Sequence, residues 1–302
     1  MTIAQTSKKA ARAVKCLLKI KEISDIIVTI IHYSEVLIMK LCFSTLGCSE
    51  MSLDEIFSLC SDFGISAIEI RGIGGVLDNS KISAFLPESI NDTKNAFTKS
   101  GIAPITLGTS CTFHNKERLD GAIKEGLEAI KIAEGLGIPY IRVFGDKLIE
   151  GDELGCTERL IKGIKTICES AKNTSVLLEV HGNYNTEAAL APVLDGLKDV
   201  ENFGIIWDIE HTQDTYGENW IEFYRFIRPY LKHVHIKDRS SEGKLVLVGD
   251  GIVPIIPIAA QLLNDGYDGY FSLEWEKKWH PELPDIRTAL EAFVKVMNEV
   301  LA

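Results

Sequence analysis

Residues 175–211 read SVLLEVHGNYNTEAALAPVLDGLKDVENFGIIWDIEH. Two apolar runs, SVLLEVHG and GIIWDIEH, enclose a helix-period segment, TEAALAPVLDGLKD. A run that turns polar at its end, then a helix, then another such run predicts a strand–helix–strand unit. The unit recurs from Lys40 onward. The other runs are KLCFST, AIEIRG, APITLG, YIRVFG, KHVHIKD and YFSLEWE, and helix-period segments separate them. Ser52 with Glu55 three residues on makes a capping box before the first helix, and Gly64, Gly101 and Gly137 stand where helices stop. Eight strands alternating with eight helices predict an α/β fold, a (β/α)₈ TIM barrel forming one domain over residues 39–302. The competing fold, an open doubly wound sheet, needs a glycine-rich phosphate turn after the first strand. STLGCSEMS is not one, and GIGG at 72–75 follows the second strand without the GxGxxG spacing.

Residues 1–38 differ from the rest. They are basic and free of acids through Lys21, then apolar but interrupted by His32 and Glu35. That stretch is too short and too polar for a membrane span, and its order is poor for a signal peptide. We read it as an N-terminal extension to a barrel that starts at Met39. Seven cysteines are scattered without a CxxC pair, which fits a reducing compartment and a cytoplasmic location better than a disulfide framework or zinc ribbon. A net charge of −11 argues against general nucleic-acid binding, which needs clustered lysine and arginine.

The late strands carry their ionisable residues at one end. Strand five ends Glu179-Val180-His181, strand six Asp208-Ile209-Glu210-His211, strand seven His235-Ile236-Lys237-Asp238 and strand eight Glu274-Trp275-Glu276. In such barrels the C-terminal strand ends build the active site. A single histidine or glutamate there is usually a satisfied structural group, but four successive strands with polar ends converge on one rim. Residues two apart share a strand face, which groups Glu179 with His181, His233 with His235, and Glu274 with Glu276. Inward carboxylates are costly unless paired, and one divalent cation neutralises several. A mixed oxygen and nitrogen donor set suits Mn²⁺, Mg²⁺, Co²⁺ or Zn²⁺. Such an ion can bind two neighbouring oxygens of a polyol or hydroxy-ketone and stabilise an enediolate, while carboxylates beside it move the proton. Trp207 and Trp275 read as packing residues.

LLEVHGN, IIWDIEHT, HVHIKD, VGDGIVP and GYDGYFSLEWE resemble the xylose-isomerase-like TIM-barrel superfamily of sugar phosphate isomerases and epimerases. The resemblance extends over residues 39–302, and strands five to eight carry it. It implies one divalent metal ion held by Glu179, Asp208, His235 and Glu274. It implies that Glu179 and Glu274 are also the acid–base pair on opposite faces of a cis-enediolate. It implies that His211 of the DxxH motif contacts substrate. His181, Lys237 and Arg239 are further candidates for substrate binding, and His233, one layer deeper, for core or support. Glu276, Trp279 and His280 lie on the last loop, where a plain surface role is the simpler expectation. The implied partner is a small sugar or polyol, with a homo-oligomer compatible with the family.

The chain departs from two branches of the superfamily. The endonuclease IV branch needs histidines from strands two and three and an Asp-x-His before the glycine motif. Here strand two ends IEIRG, and GKLVLVGDG has neither residue ahead of Gly249. True xylose isomerases are longer and have a lysine-rich strand-five motif that is absent here. The leading expectation is a metal-dependent sugar or keto-sugar isomerase or epimerase. A lyase of the inosose dehydratase kind, expelling a β-hydroxyl from the same enolate, is the alternative enzyme. A non-catalytic carbohydrate-binding barrel is the third reading.

Overall fold

The computed structural model describes residues 39–301. The expected extension over residues 1–38 lies outside the described residues. Eight parallel strands close into a barrel: β1 Lys40–Ser44, β2 Ala67–Ile70, β3 Ala103–Thr112, β4 Tyr140–Phe144, β5 Ser175–Glu179, β6 Phe203–Asp208, β7 Leu231–Ile236 and β8 Tyr270–Leu273. Each pairs with its neighbour in sequence, and β1 pairs with β8 to complete the ring. Between and after them run α1 Leu53–Phe63, α2 Ile90–Ser100, α3 Leu119–Leu136, α4 Glu153–Cys168, α5 Glu187–Leu197, α6 Trp220–Ile227, α7 Ile255–Asn264 and α8 Ile286–Glu299. The expected TIM barrel is thus the observed fold. Among the described residues no helix is long and apolar enough to cross a membrane.

Local chemistry sets the element ends. Ser52 accepts from the Glu55 backbone N–H while the Glu55 carboxylate accepts from the Ser52 N–H, so the capping box is complete. Gly64 closes α1 in the left-handed region at φ 64°, which a side chain would disfavour. After β7 a short ribbon pairs Asp238–Arg239 with Leu245–Val246. Asp238 then organises the loop that follows, accepting from the N–H groups of Gly249, Gly251 and Val253. A Cβ at Gly251 would lie 2.1 Å from Asp238 Oδ1, so the VGDGIVP motif is a loop built around a carboxylate.

The strands alternate between two environments. Ile68, Ile70, Ile141, Val143, Val234 and Ile236 are fully buried and alternate with the inward residues. Each such side chain contributes about 1.5–3 kcal/mol by leaving water. The inward set is polar: Glu69, Arg142, Glu179, Asp208, His233, His235, Ser272 and Glu274 are all buried. The interior thus carries charge toward the C-terminal strand ends, while Cys42, Ala67 and Ile105 form a buried apolar cluster.

Candidate metal centre

The four strand ends bring Glu179, Asp208, His235 and Glu274 together. Their potential ligand atoms all lie within 4.8 Å of one another, and every residue is buried. His235 Nδ1 stands 3.3 Å from Glu179 Oε1 and 3.5 Å from Glu274 Oε1, with no well-directed hydrogen bond.

The other ring nitrogen is anchored. Glu69, within β2, places Oε2 2.9 Å from His235 Nε2 and 3.1 Å from His233 Nε2. Burial pushes the Glu69 carboxyl up, but the imidazoles of His235 and His233 outweigh it and hold it below the usual carboxylate range. An ionised carboxylate only accepts, so both histidines donate from Nε2. That leaves the Nδ1 lone pair of a neutral His235 aimed between the glutamates, the arrangement a metal-ligating histidine takes with a carboxylate behind it. Without a metal, burial works against the imidazolium, but Glu69, Glu274 and Glu179 outweigh it and push His235 well above its ordinary value.

Two buried cations enter the cluster. Arg142 in β4 donates from Nη1 to Glu179 Oε2 at 2.9 Å and Glu274 Oε1 at 3.4 Å, and its guanidinium sits 4.1 Å from the Phe144 ring centroid. Lys237 Nζ lies 2.8 Å from Asp208 Oδ2, 2.9 Å from Glu274 Oε2 and 2.6 Å from Glu276 Oε1. Burial and the neighbouring Glu274 push the Glu179 carboxyl up, yet Arg142 and His235 bring it below its ordinary value. Burial likewise opposes ionisation of Glu274, and Lys237 and His235 hold it well below. Asp208 goes the other way, because burial with Glu274 and Glu179 beside it outweighs Lys237. The four carboxylates Glu69, Glu179, Asp208 and Glu274 face two permanent cations, Arg142 and Lys237. The carboxylates thus outnumber the cations, and a bound cation would offset the excess. The donor chemistry and the unsatisfied Nδ1 both fit such an ion.

The remaining candidates form the rim. His211 Nε2 is 3.3 Å from Lys237 Nζ and 3.6 Å from Asp208 Oδ2, and burial and Lys237 together hold its pKa well below the ordinary value. Its ring meets that of His181 edge-on at 4.5 Å. His181 Nδ1 faces Asp146 Oδ1 at 3.8 Å. Arg239 is engaged outside the four-residue cluster, bonding Asp214 and lying 3.3 Å from Glu210 Oε1. One residue of the last loop differs from expectation. Glu276 is not a plain surface residue, since it takes up Lys237, whereas Trp279 is exposed and His280 partly so, as expected of a surface loop. Trp207 and Trp275 are packing residues, with their indole N–H groups bonded to Thr212 Oγ1 and Pro284 O.

Glu69 and Arg142 are absent from the sequence-derived set. Each had a signal: a charge between two aliphatic residues, in IEI and IRV, at the middle of a run too apolar to face water. Such a residue can only point into the barrel.

Comparison with known proteins agrees with this architecture. A family model described as the xylose isomerase-like TIM barrel matches residues 57–296. Inosose dehydratase of Lacticaseibacillus casei is 22% identical over 141 residues, 40% of this chain and 47% of that protein. The match thus spans about half the length of that relative. The crystal structure of the probable 3-DHS dehydratase AsbF, involved in petrobactin synthesis, from Bacillus anthracis superposes with a TM-score of 0.71 at 17% identity, covering 86% of this chain and 99% of that one. The 3-keto-D-glucoside 4-epimerase YcjR from E. coli gives 0.64 at 18% identity, covering 86% and 99%. At such identities the structural likenesses speak for the fold alone, while the family match takes in most of the chain. The chain belongs to the xylose isomerase-like TIM barrel family.

Proposed function

We propose that the chain is a divalent-metal-dependent isomerase or epimerase of a sugar, keto-sugar or related polyol, working by proton abstraction beside a carbonyl. The observation that carries this reading is the convergence of Glu179, Asp208, His235 and Glu274 around an imidazole nitrogen without a hydrogen bond. When bound, a divalent cation supplies Lewis-acid stabilisation to an oxygen that gains charge as the carbon acid ionises. Glu179 and Glu274 then take and return the proton. Arg142 bonds both, which limits their rotation and keeps them ionised, as a base must be. The same contact keeps them weak bases in the resting protein. Burial excludes water and raises every electrostatic term at the site. We assign substrate hydroxyls to His211, which is partly exposed, and to Lys237, which is buried and would join by exchanging one of its partners Asp208, Glu274 and Glu276.

A lyase is the second reading. Lys237 Nζ is 2.9 Å from Glu274 and 3.3 Å from His211, so an ammonium donor stands beside a carboxylate base. That pair can deliver a proton to a departing β-hydroxyl. The matched relative named inosose dehydratase supports this reading.

The test is exchange of a carbon-bound substrate proton with D₂O in the presence of Mn²⁺ or Co²⁺, across a panel of ketoses and keto-cyclitols. Exchange with retention of all oxygens supports the isomerase, and a dehydrated ketone supports the lyase. The absence of both exchange and dehydrated product across the panel refutes both. Glu179→Gln is expected to lower exchange by about 100-fold or more; unchanged turnover would remove Glu179 from the mechanism.

A further inference from the structure

Arg71, just beyond β2, is 7% exposed, yet its partners are neutral. Nη1 donates to Leu77 O at 3.3 Å and Nη2 to Ser110 Oγ at 2.9 Å. Among the described residues no carboxylate stands within ion-pair distance of it. A buried guanidinium without a direct ion pair is costly, and Glu125 on the same wall, whose charge raises Arg71, offsets only part of that cost. The cost is raised by a second guanidinium, since a Cβ at Gly108 would meet Arg71 Cδ at 2.7 Å and Arg142 Nη2 at 3.2 Å. Burial and Arg142 together lower Arg71 to about 10.

Arg71 lines a cavity of about 450 Å³ with Ser110, Lys124 and Trp279. The acids on its wall have other partners. Glu125 Oε1 accepts from Ser110 N at 2.6 Å, Asp78 pairs with Lys81 at 2.9 Å and Glu128 faces Lys124 at 4.0 Å. The indole of Trp279, 52% exposed, offers this cavity an apolar wall from the last loop. Arg142 connects the two regions, because its Nη1 bonds Glu179 of the four-residue cluster at 2.9 Å.

We infer that the Arg71 cavity is an oxyanion subsite, and that the substrate carries a carboxylate or phosphate on the side away from its reacting carbons. The inference rests on the reading of the four-residue cluster as the place of chemistry. The guanidinium, already oriented by Leu77 and Ser110, presents its remaining N–H groups to the oxyanion. Trp279 covers the carbon face of the same molecule. The cavity's volume suits a monosaccharide-sized ligand.

Calorimetric titration of the full chain tests this, with and without Mn²⁺, using matched probes: D-glucuronate against D-glucose, and D-fructose 6-phosphate against D-fructose. The charged member of at least one pair is expected to bind about tenfold tighter or more. The pair that shows the advantage identifies carboxylate or phosphate as its source. Arg71→Met is expected to abolish the advantage and leave the neutral sugar and Mn²⁺ affinity unchanged. Arg71→Lys, a charge without the fork, is expected to keep only part of it. Should Arg71→Met not fold, the wild-type pairs and Arg71→Lys decide. The inference is overturned if neither charged probe has an advantage, if the advantage survives the substitutions, or if charged and neutral probes weaken equally. Failure of the metal-centre reading looks different: Mn²⁺ binds no variant, while the charged-against-neutral comparison in metal-free protein still reads Arg71.

Discussion

Glu69 serves two histidines through one oxygen. Its Oε2 is within hydrogen-bond distance of His233 and His235, while Oε1 has no partner. The carboxylate fixes the tautomer of His235 and so decides which nitrogen faces Glu179 and Glu274. Glu69→Gln keeps the shape but removes the charge behind the imidazole. It is expected to weaken Mn²⁺ binding by about 10- to 100-fold in a calorimetric titration, the usual effect of losing a carboxylate behind a metal-bound histidine. Undiminished affinity would show that His235 needs no such support. At this scale the candidate ligands were legible in sequence and their support was not. Glu179, Asp208, His235 and Glu274 each end a strand, where polarity announces the rim. Glu69 and Arg142 lie within apolar runs, and their partners are on strands far along the chain.

At the scale of elements, caps and loops position the strand ends. Asp285 caps α8 by accepting from the N–H groups of Arg287 and Thr288. The bond from Thr288 N–H, ahead of the slight opposing effect of burial, holds the Asp285 carboxyl below its ordinary value. Asp285→Ala is expected to cost about 1 kcal/mol in thermal or urea denaturation, and Asp285→Asn much less. A depressed carboxyl stabilises above its unfolded pKa and loses that contribution as pH falls through its folded pKa. The deficit of the alanine variant should therefore shrink in acid. A deficit independent of pH would mean that the charge of the cap is irrelevant. The capping box at Ser52 and the glycine stop at Gly64 were readable because both are local patterns. The role of Asp238 was not, because its three N–H donors come from a loop more than ten residues on.

For the whole molecule, the barrel encloses charge whose balance depends on what fills the centre. Lys237→Met leaves Asp208 and Glu274 without their ammonium partner and is expected to destabilise the metal-free protein by about 3–5 kcal/mol. Saturating Mn²⁺ should recover much of that loss. For the wild type, metal at 100 times its dissociation constant should add about 2.7 kcal/mol, read as a higher Tm that chelation reverses. A Tm indifferent to Mn²⁺ and to chelator would contradict a metal centre. The sequence by itself determined the parallel barrel and its polar rim, because strand alternation, helix period, caps and glycine stops are properties of neighbouring residues. Only the tertiary structure decided which inward side chains meet. Arg142 and Glu274 are 132 residues apart, and Glu69 and His235 are 166 apart. Closure of β1 on β8 and the register of each pair bring them into contact, and no local pattern encodes a partner across the barrel.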